Sequence, residues 1–438
     1  MDRHKRRPKI KITPARVIAA GFAAAILIGS GLLMLPVSVR AGVTLRYIDA
    51  LYTSTSAVCV TGLIAVDAAD TFTAFGQTVI AVLIQIGGLG VTSVGAGIII
   101  ATGRRMNLRE RNVVREALNF DSGSGVRRLV KSIFATTAVI ELAGAALSYP
   151  VFARDHGALH AVGISVFHSI AAFNNAGFDI LGGGTNLIPY RDSVLLNLTT
   201  CALIFFGGIG FLVIREVGEK RFRWKKFSMH TRVVLSVSAV LLAAGTVLLK
   251  ISEGDALGWL DALFFSFSAR TAGFSTVPLS GFSNAGLCVL NVLMFIGASP
   301  GSTGGGVKTS TFFALLRGIR SAATNTGESA FRYSLPRSAF RKAAVIVMIG
   351  LSVIVAGTFL ISLVEPSLPL RDVLTEVVSA FATVGLSTGI TPTLGTAAKL
   401  ISVAIMYMGR LGPMTIVTVW YFSLGERVSY PEGDLVIG

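Results

Sequence analysis

The chain has 438 residues, of which 52% are hydrophobic and 14% charged, and its mean hydropathy of +0.70 excludes an ordinary soluble globular protein. A net charge of +16 would suit a nucleic-acid-binding protein, but the basic residues lie between long apolar runs. The three cysteines have no metal-like spacing and offer no disulfide framework. The composition predicts an all-α polytopic membrane protein.

Eight apolar runs are mostly long enough to cross roughly 30 Å of hydrocarbon. The basic start, residues 1–11, precedes a run that is too long for a signal peptide, so we expect the first run to remain as a helix. The runs lie near residues 17–35, 76–101, 132–152, 193–214, 233–249, 284–316, 343–364 and 397–424.

The basic residues separate into alternate segments of the chain. Of the 39 Lys and Arg residues, 29 fall in five segments, 1–16, 103–131, 215–232, 317–342 and 425–438. This asymmetry is the positive-inside pattern, so we expect both termini in the cytoplasm of a cell (plasma) membrane protein. The basic segments could contact anionic lipid. Because the membrane pattern accounts for the positive charge, no nucleic-acid partner is expected. The alternate segments are acidic, which would raise the local cation concentration unless these charges are merely solvated.

A short amphipathic stretch that ends in glycine recurs four times, at Gly62, Gly177, Gly273 and Gly385. Each is followed by an apolar run with a glycine break. Because basic segments separate the units and acidic segments interrupt them, each unit must cross the membrane twice, and the short stretch must re-enter. We therefore predict four parallel membrane–pore-helix–membrane repeats, with eight transmembrane helices and four re-entrant pore helices around a central pore. The predicted boundaries are 1–118, 119–228, 229–335 and 336–438.

The four glycine turns suit a dehydrated monovalent cation. Backbone carbonyls can replace its water, and glycine adopts the dihedrals that point successive carbonyls at one axis. The alternative is that these glycines only permit close helix packing. The predicted filter residues are Val60, Thr61, Gly62, Asn175, Ala176, Gly177, Thr271, Ala272, Gly273, Thr383, Val384 and Gly385.

Charged residues accompany the turns. Asp49, Asp261 and Asp372 stand 13, 12 and 13 residues before their glycines, where a carboxylate would cap a helix N-terminus more readily than it would bind an ion. Arg270 and Glu376 lie near the turns and could brace them from behind.

A proline- and glycine-rich stretch, 298–309, interrupts the apolar run of the third repeat. It cannot continue a helix, and its hydroxyls and free carbonyls would form a polar plug; the alternative is a kinked helix. A Walker A loop does not fit, because Val307 separates Gly306 from Lys308. The residues of interest here are Ser299, Gly301, Ser302, Thr303, Gly304, Gly305, Gly306 and Lys308, the last of which could instead snorkel to the cytoplasmic face.

Arg410 lies in the glycine break of the fourth repeat. A guanidinium at that depth costs several kcal/mol unless it has partners or faces water, so we expect a functional role. The alternative is a structural ion pair with Glu141.

These motifs resemble the Trk/Ktr/HKT superfamily of potassium transporters, and within it the KtrB-type membrane subunits. The most specific marks are residues 57–63, 269–276, 298–310 and 408–413, and the end of the chain, 430–438, also resembles this group. The resemblance implies that the four glycines are filter glycines and that Gly62, where sodium-selective relatives carry serine, goes with potassium selectivity. It also implies that loop 298–309 gates the pore together with Arg410.

The same resemblance implies the assembly and its ions. It predicts potassium uptake by a homodimer seated on a cytosolic nucleotide-binding ring of the KtrA type, with sodium stimulation and with nucleotide bound only by the ring. No covalent chemistry is expected, so the protein would not be an enzyme. The alternatives are a carrier of another solute, a less selective Na+/K+ transporter, and a structural membrane partner with glycine-packed helices.

Overall fold

The computed structural model describes residues 13–102, 106–117, 125–336 and 338–420, which are mostly helical. Two very short strands, β1 (Ser329–Ala330) and β2 (Tyr333–Ser334), pair antiparallel. The helices are α1 (Pro14–Leu33), α2 (Tyr47–Cys59), α3 (Ala68–Thr71), α4 (Ala74–Leu89), α5 (Val91–Ala101), α6 (Leu108–Ala117), α7 (Val126–Phe152), α8 (Ala158–Phe173), α9 (Val194–Gly208), α10 (Phe211–Lys220), α11 (Met229–Glu253), α12 (Trp259–Ser268), α13 (Asn284–Phe295), α14 (Thr309–Thr324), α15 (Ala339–Val364), α16 (Leu370–Ala382), α17 (Thr396–Leu411) and α18 (Pro413–Trp420).

One order of helices recurs along the chain: a long helix, a short helix, and a helix broken in two. It is seen in α1, α2 and α4/α5, then in α7, α8 and α9/α10, in α11, α12 and α13/α14, and in α15, α16 and α17/α18. The predicted all-α fold is therefore confirmed. The N-terminal residues 1–12 and the C-terminal stretch 430–438, used in the sequence analysis, lie outside the described residues.

Four helices, α1, α7, α11 and α15, are long and apolar enough to cross a membrane. The pairs α4/α5 and α9/α10 meet the same criterion only when each is taken as one bent span, with bends of 98° and 99°. By length and composition the described residues thus supply four spans, or six with the bent pairs, and the count of eight stays a prediction.

Three of the helix breaks occur at a glycine. Gly90, Gly210 and Gly412 have φ of 83°, 95° and 82°, in the left-handed range that L side chains rarely adopt. In each case a new helix begins at the next residue, so the chain turns sharply without losing helical structure on either side.

The first three long helices hold their short helices by the same pair of contacts. A serine hydroxyl donates to a carbonyl of the long helix: Ser54 to Ile26, Ser169 to Glu141 and Ser266 to Leu242, at 2.6–2.8 Å. Three residues further along each long helix stands a glycine whose missing side chain makes room for that serine. These glycines are Gly29, Gly144 and Gly245.

The short helices form the centre of the molecule. Ten of the thirteen residues of α2 and ten of the thirteen of α16 are buried, whereas only 28–33% of the most apolar stretch of each long helix is buried. A lipid environment would cover the exposed apolar faces of the long helices. The short helices, and the turns that follow them, are thereby enclosed by protein.

Candidate ion-conduction pore

The four predicted filter segments, here called filter segments 1 to 4, share one backbone conformation. Gly62, Gly177, Gly273 and Gly385 have φ of 88°, 65°, 81° and 101°, and the residue two positions before each glycine is also left-handed. Those residues are Val60, Asn175, Thr271 and Thr383, with φ between 53° and 79°. Left-handed non-glycine residues of this kind cluster at functional sites in proteins, and here the same conformation recurs at four equivalent positions.

The same four glycines form a closed ring. A Cβ atom on each glycine would meet the carbonyl oxygen of the residue before the next glycine in chain order. A side chain at any of the four positions would therefore collide with the neighbouring segment. The pairs are Gly62 with Ala176, Gly177 with Ala272, Gly273 with Val384, and Gly385 with Thr61. We call these four residues the glycine ring.

Each short helix ends one to three residues before the start of its filter segment. The helices α2, α8, α12 and α16 end at Cys59, Phe173, Ser268 and Ala382. The carbonyl end of a helix carries partial negative charge, so four such ends beside the ring favour a cation there.

Serine hydroxyls fix two of the segments to their helices. The Gly62 amide donates to Ser56 Oγ at 3.0 Å, and the Gly385 amide donates to Ser379 Oγ at 2.9 Å. Both serines stand six residues before the glycine, so segments 1 and 4 are held in the same way.

Carboxylates hold the chain that follows the segments. Asp261 accepts from Gly258 N, Arg191 Nε and Thr276 Oγ1, so the predicted capping occurs and is combined with a brace. Glu376, fully buried, accepts from Ser387 Oγ at 2.7 Å and from Thr391 Oγ1, which agrees with the bracing that we expected.

The other two acids are paired with cations. Asp49 accepts from Arg46 and from Lys399 Nζ, the latter at 2.8 Å, and Lys399 is only 1% exposed. The bond to Lys399 therefore joins α2 to the distant α17, and among the described residues Asp49 bonds to these cations and not to the amides of its own helix. Asp372 Oδ1 lies 3.5 Å from Arg371 Nε. Both acids still lie in the first turn of their helices, where negative charge is favourable.

The stretch 298–309, here called the intramembrane loop, crosses beside the ring and is bonded to repeat two. Ser299 N donates to Gly208 O at 2.9 Å and Thr303 N donates to Gly207 O at 3.1 Å. Thr303 Oγ1 also donates to Phe173 O at 3.2 Å, at the end of α8. A Cβ on Gly304 would overlap the side chain of Thr271 in segment 3. The loop therefore lies directly against the filter segments.

Two cations hold the intramembrane loop. Arg410 donates to Thr303 O in the loop and to Gly87 O and Gly88 O in repeat one. Lys308 Nζ donates to Gly304 O at 2.6 Å and to Gly305 O at 3.4 Å, so it is part of the loop structure and does not snorkel. A cavity of about 210 Å³ adjoins the loop, lined by Gly301, Gly304, Lys308 and Arg410 among others.

The alternative pairing of Arg410 with Glu141 does not occur. Glu141 instead accepts from Gln85 Nε2 at 3.3 Å and from Asn174 Nδ2 at 3.0 Å. Arg270 is 7% exposed, and its Nε has no hydrogen-bond partner in the part of the chain that the structure describes. The Arg270 Nε therefore makes no hydrogen bond that would support the bracing role that we considered for it.

Sequence reasoning missed three residues of this site. Asn186 is bonded to filter segment 2, while Ser56 and Ser379 anchor segments 1 and 4. The serines could have been found from their common distance to the glycine. Asn186 follows a run of three glycines, and only the folded chain shows what its side chain reaches.

Together, the long apolar helices and the recurring helix order define a polytopic α-helical membrane protein. The sequence matches the family described as TrkH, cation transport protein, over residues 14–253 and 232–424. The chain belongs to this family, and the resemblance expected from the sequence is confirmed.

Individual relatives agree with this assignment. The chain is 38% identical over 440 residues to the Ktr system potassium uptake protein B of Bacillus subtilis, covering 98% of both chains. It is 36% identical over 457 residues to the potassium/sodium uptake protein NtpJ of Enterococcus hirae, covering 99% of both. Among solved structures, it matches the potassium transporter TrkH from Vibrio parahaemolyticus with a TM-score of 0.74 and 19% identity, covering 96% of this chain and 87% of that one. The last match shows a common fold.

Proposed function

We propose that this protein takes up potassium across the cell membrane through a central pore whose selectivity filter is the glycine ring with its flanking carbonyls. The observation that carries the proposal is the closed ring, in which each glycine faces a carbonyl of the next segment. Such a ring supplies oxygen ligands from all four repeats without the strong field of a carboxylate. The filter would consist of the twelve residues 60–62, 175–177, 271–273 and 383–385.

The intramembrane loop and Arg410 would form the gate below the filter. Arg410 joins Thr303 of the loop to Gly87 of repeat one, and Lys308 holds the loop from its own side. In these hydrogen bonds, cationic side chains donate to backbone carbonyls. A passing ion would have to displace those side chains. A fixed positive charge at this point is also an electrostatic barrier to potassium.

The relatives' names support the ion and an assembly. Three relatives, 38%, 35% and 32% identical, are named as Ktr system potassium uptake proteins, and a system implies a partner subunit. We propose a homodimer with cytoplasmic termini, controlled by a cytosolic nucleotide-binding ring of the KtrA type, with sodium as a stimulating ion. The uptake protein named for both potassium and sodium makes a less selective cation pathway the second candidate.

The test is flux selectivity in proteoliposomes. Uptake of potassium, rubidium and sodium would be compared for the wild type, Gly62→Ser and Gly163→Ala. Gly163 lies on α8, and a Cβ there meets nothing within 4 Å, which makes it the matched control. We expect potassium preference in the wild type and the control, and a lower preference in Gly62→Ser. Equal fluxes in all three, without cation preference, would contradict the proposal.

A further inference from the structure

Asn186 lies in the chain that follows filter segment 2. It is 9% exposed and its φ is 51°, a left-handed conformation that asparagine tolerates better than most side chains. The fold therefore places a buried amide group, rather than a solvated loop side chain, next to the glycine ring.

The side chain of Asn186 joins filter segment 2 to the chain just after filter segment 3. Its Nδ2 donates to Gly177 O at 3.3 Å, on segment 2. Its Oδ1 accepts from Ser275 N at 3.0 Å, two residues beyond the glycine of segment 3. Leu187 N donates both to Asn186 Oδ1 at 2.9 Å and to Ser275 O at 3.2 Å, which strengthens the same connection.

A carboxylate fixes the orientation of the amide. Asn186 Nδ2 also donates to Asp179 Oδ2 at 3.2 Å, and Asp179 is 7% exposed. Asp179 Oδ1 in turn accepts from Leu181 N at 3.0 Å. The nitrogen of Asn186 must therefore face Gly177 O, because the two acceptors lie on that side and the two amide donors on the other.

This contact distinguishes Gly177 from the other members of the glycine ring. Throughout the described residues, the carbonyls of Gly62, Gly273 and Gly385 accept no hydrogen bond from protein groups, whereas the Gly177 carbonyl does. A carbonyl that already accepts a hydrogen bond is less free to turn and shares its lone pairs, so it is a weaker and more rigid ligand for a cation. Selectivity depends on the number and field strength of such carbonyls.

We propose that Asn186 is a specificity-determining positioning residue, which holds the Gly177 carbonyl and ties filter segment 2 to the chain just after filter segment 3. This inference rests on the proposed function of the glycine ring as a filter. It makes the four carbonyls of the glycine ring unequal, with three that accept no hydrogen bond among the described residues and one held by the protein.

The experiment compares Asn186→Asp with the double variant Asn186→Asp/Asp179→Asn in proteoliposomes. Asn186→Asp keeps the acceptor for Leu187 and Ser275 but replaces the donor to Gly177 with an oxygen. The double variant restores a donor–acceptor pair between positions 186 and 179 and still lacks the donor to Gly177. The readouts are the potassium-to-sodium and potassium-to-rubidium flux ratios, together with the thermal unfolding midpoint.

We expect the potassium-to-sodium ratio to fall about fivefold in both variants, the factor of one typical hydrogen bond, while the double variant regains the unfolding midpoint of the wild type. Asn284→Asp, an exposed asparagine at the start of α13, is the matched control and should keep the ratio. A wild-type ratio in the double variant would overturn the inference, because selectivity would then follow stability and not the Gly177 contact.

Gly62→Ser, measured in parallel, separates this inference from the proposed function. A lower ratio in Gly62→Ser with a wild-type ratio in Asn186→Asp would contradict only the role of Asn186. Wild-type ratios in both would contradict the filter itself.

Discussion

Gly177 faces the carbonyl oxygen of Ala272 so closely that a Cβ atom on Gly177 would lie 2.6 Å from that oxygen. The two residues belong to different repeats and stand 95 positions apart in the chain. The same relationship closes the ring between Gly385 and Thr61. Each filter segment is therefore positioned by its neighbours as well as by its own helix.

Alanine at Gly385 should damage the whole ring. The new Cβ would overlap the Thr61 carbonyl, and φ of 101° is unfavourable for alanine, so segments 1 and 4 must both shift. We expect potassium preference over sodium to fall about tenfold, equivalent to about 1.4 kcal/mol. Gly31→Ala on α1, where a Cβ meets nothing within 4 Å, should keep the wild-type ratio. Wild-type selectivity in Gly385→Ala would argue against the ring as the filter.

Removal of the Arg410 side chain should open the pathway. Arg410→Ala loses the links to Thr303 and Gly87 and the positive charge, so unregulated potassium flux should rise several-fold. Arg410→Lys keeps the charge but cannot reach both carbonyls in the planar geometry of a guanidinium, and should give an intermediate flux. Deletion within residues 301–306 should act in the same direction. Unchanged flux at normal expression would leave Arg410 with a structural role only.

The buried pair of Lys399 and Asp49 should contribute strongly to stability. Lys399→Met leaves Asp49 with only Arg46 as a cationic partner, and breaking a buried pair on one side typically costs about 3–5 kcal/mol. The double variant Lys399→Met/Asp49→Asn removes the uncompensated charge, so its thermal unfolding midpoint should lie above that of the single variant. A thermal unfolding midpoint lower in the double variant than in Lys399→Met would show that the pair is not coupled.

External pH should modulate uptake through Asp179. Burial raises the pKa of Asp179 to about 6, and the nearby charges of Asp67 and Asp70 add to the shift. Because the native state holds this proton more tightly than the unfolded chain, the group's contribution to the free energy of unfolding increases as pH falls through 6. Over the same range the carboxylate two residues beyond Gly177 loses its negative charge, so the KM for potassium should rise as external pH falls from about 7 to about 5.

Two variants check this pH dependence. Asp179→Asn should have a higher KM at neutral pH that no longer changes around pH 6. Asp255→Asn, which alters a fully exposed acid on the same side, should keep the pH response of the wild type. A pH response that persists in Asp179→Asn would assign it to another group.

The parts of the site that could be predicted from the sequence are those set by local backbone chemistry. The four glycines are predictable from their spacing, because each turn after a short helix ends on a positive φ that glycine adopts without a steric penalty. The intramembrane loop was found because proline and consecutive glycines cannot continue α13. Arg410 was found because an arginine in an apolar run needs partners.

The connections between repeats could not be predicted in the same way. Lys399 and Asp49 are 350 residues apart, and Arg410 reaches Gly87 across 323 residues, so no local pattern reports either contact. Glu141 is an acid within an apolar run and so a candidate partner for Arg410, but it pairs with Gln85 and Asn174 because the fold brings those amides to it. Which polar groups meet is decided by the packing of the repeats.

Direct detection of the ion tests the central claim. A structure of the protein determined with rubidium or thallium in place of potassium should show anomalous density on the axis between Gly62, Gly177, Gly273 and Gly385, beside their carbonyls. The same soak of Gly385→Ala should weaken or displace that density. Ordered density elsewhere in a potassium-selective preparation, with none inside the glycine ring, would contradict the account.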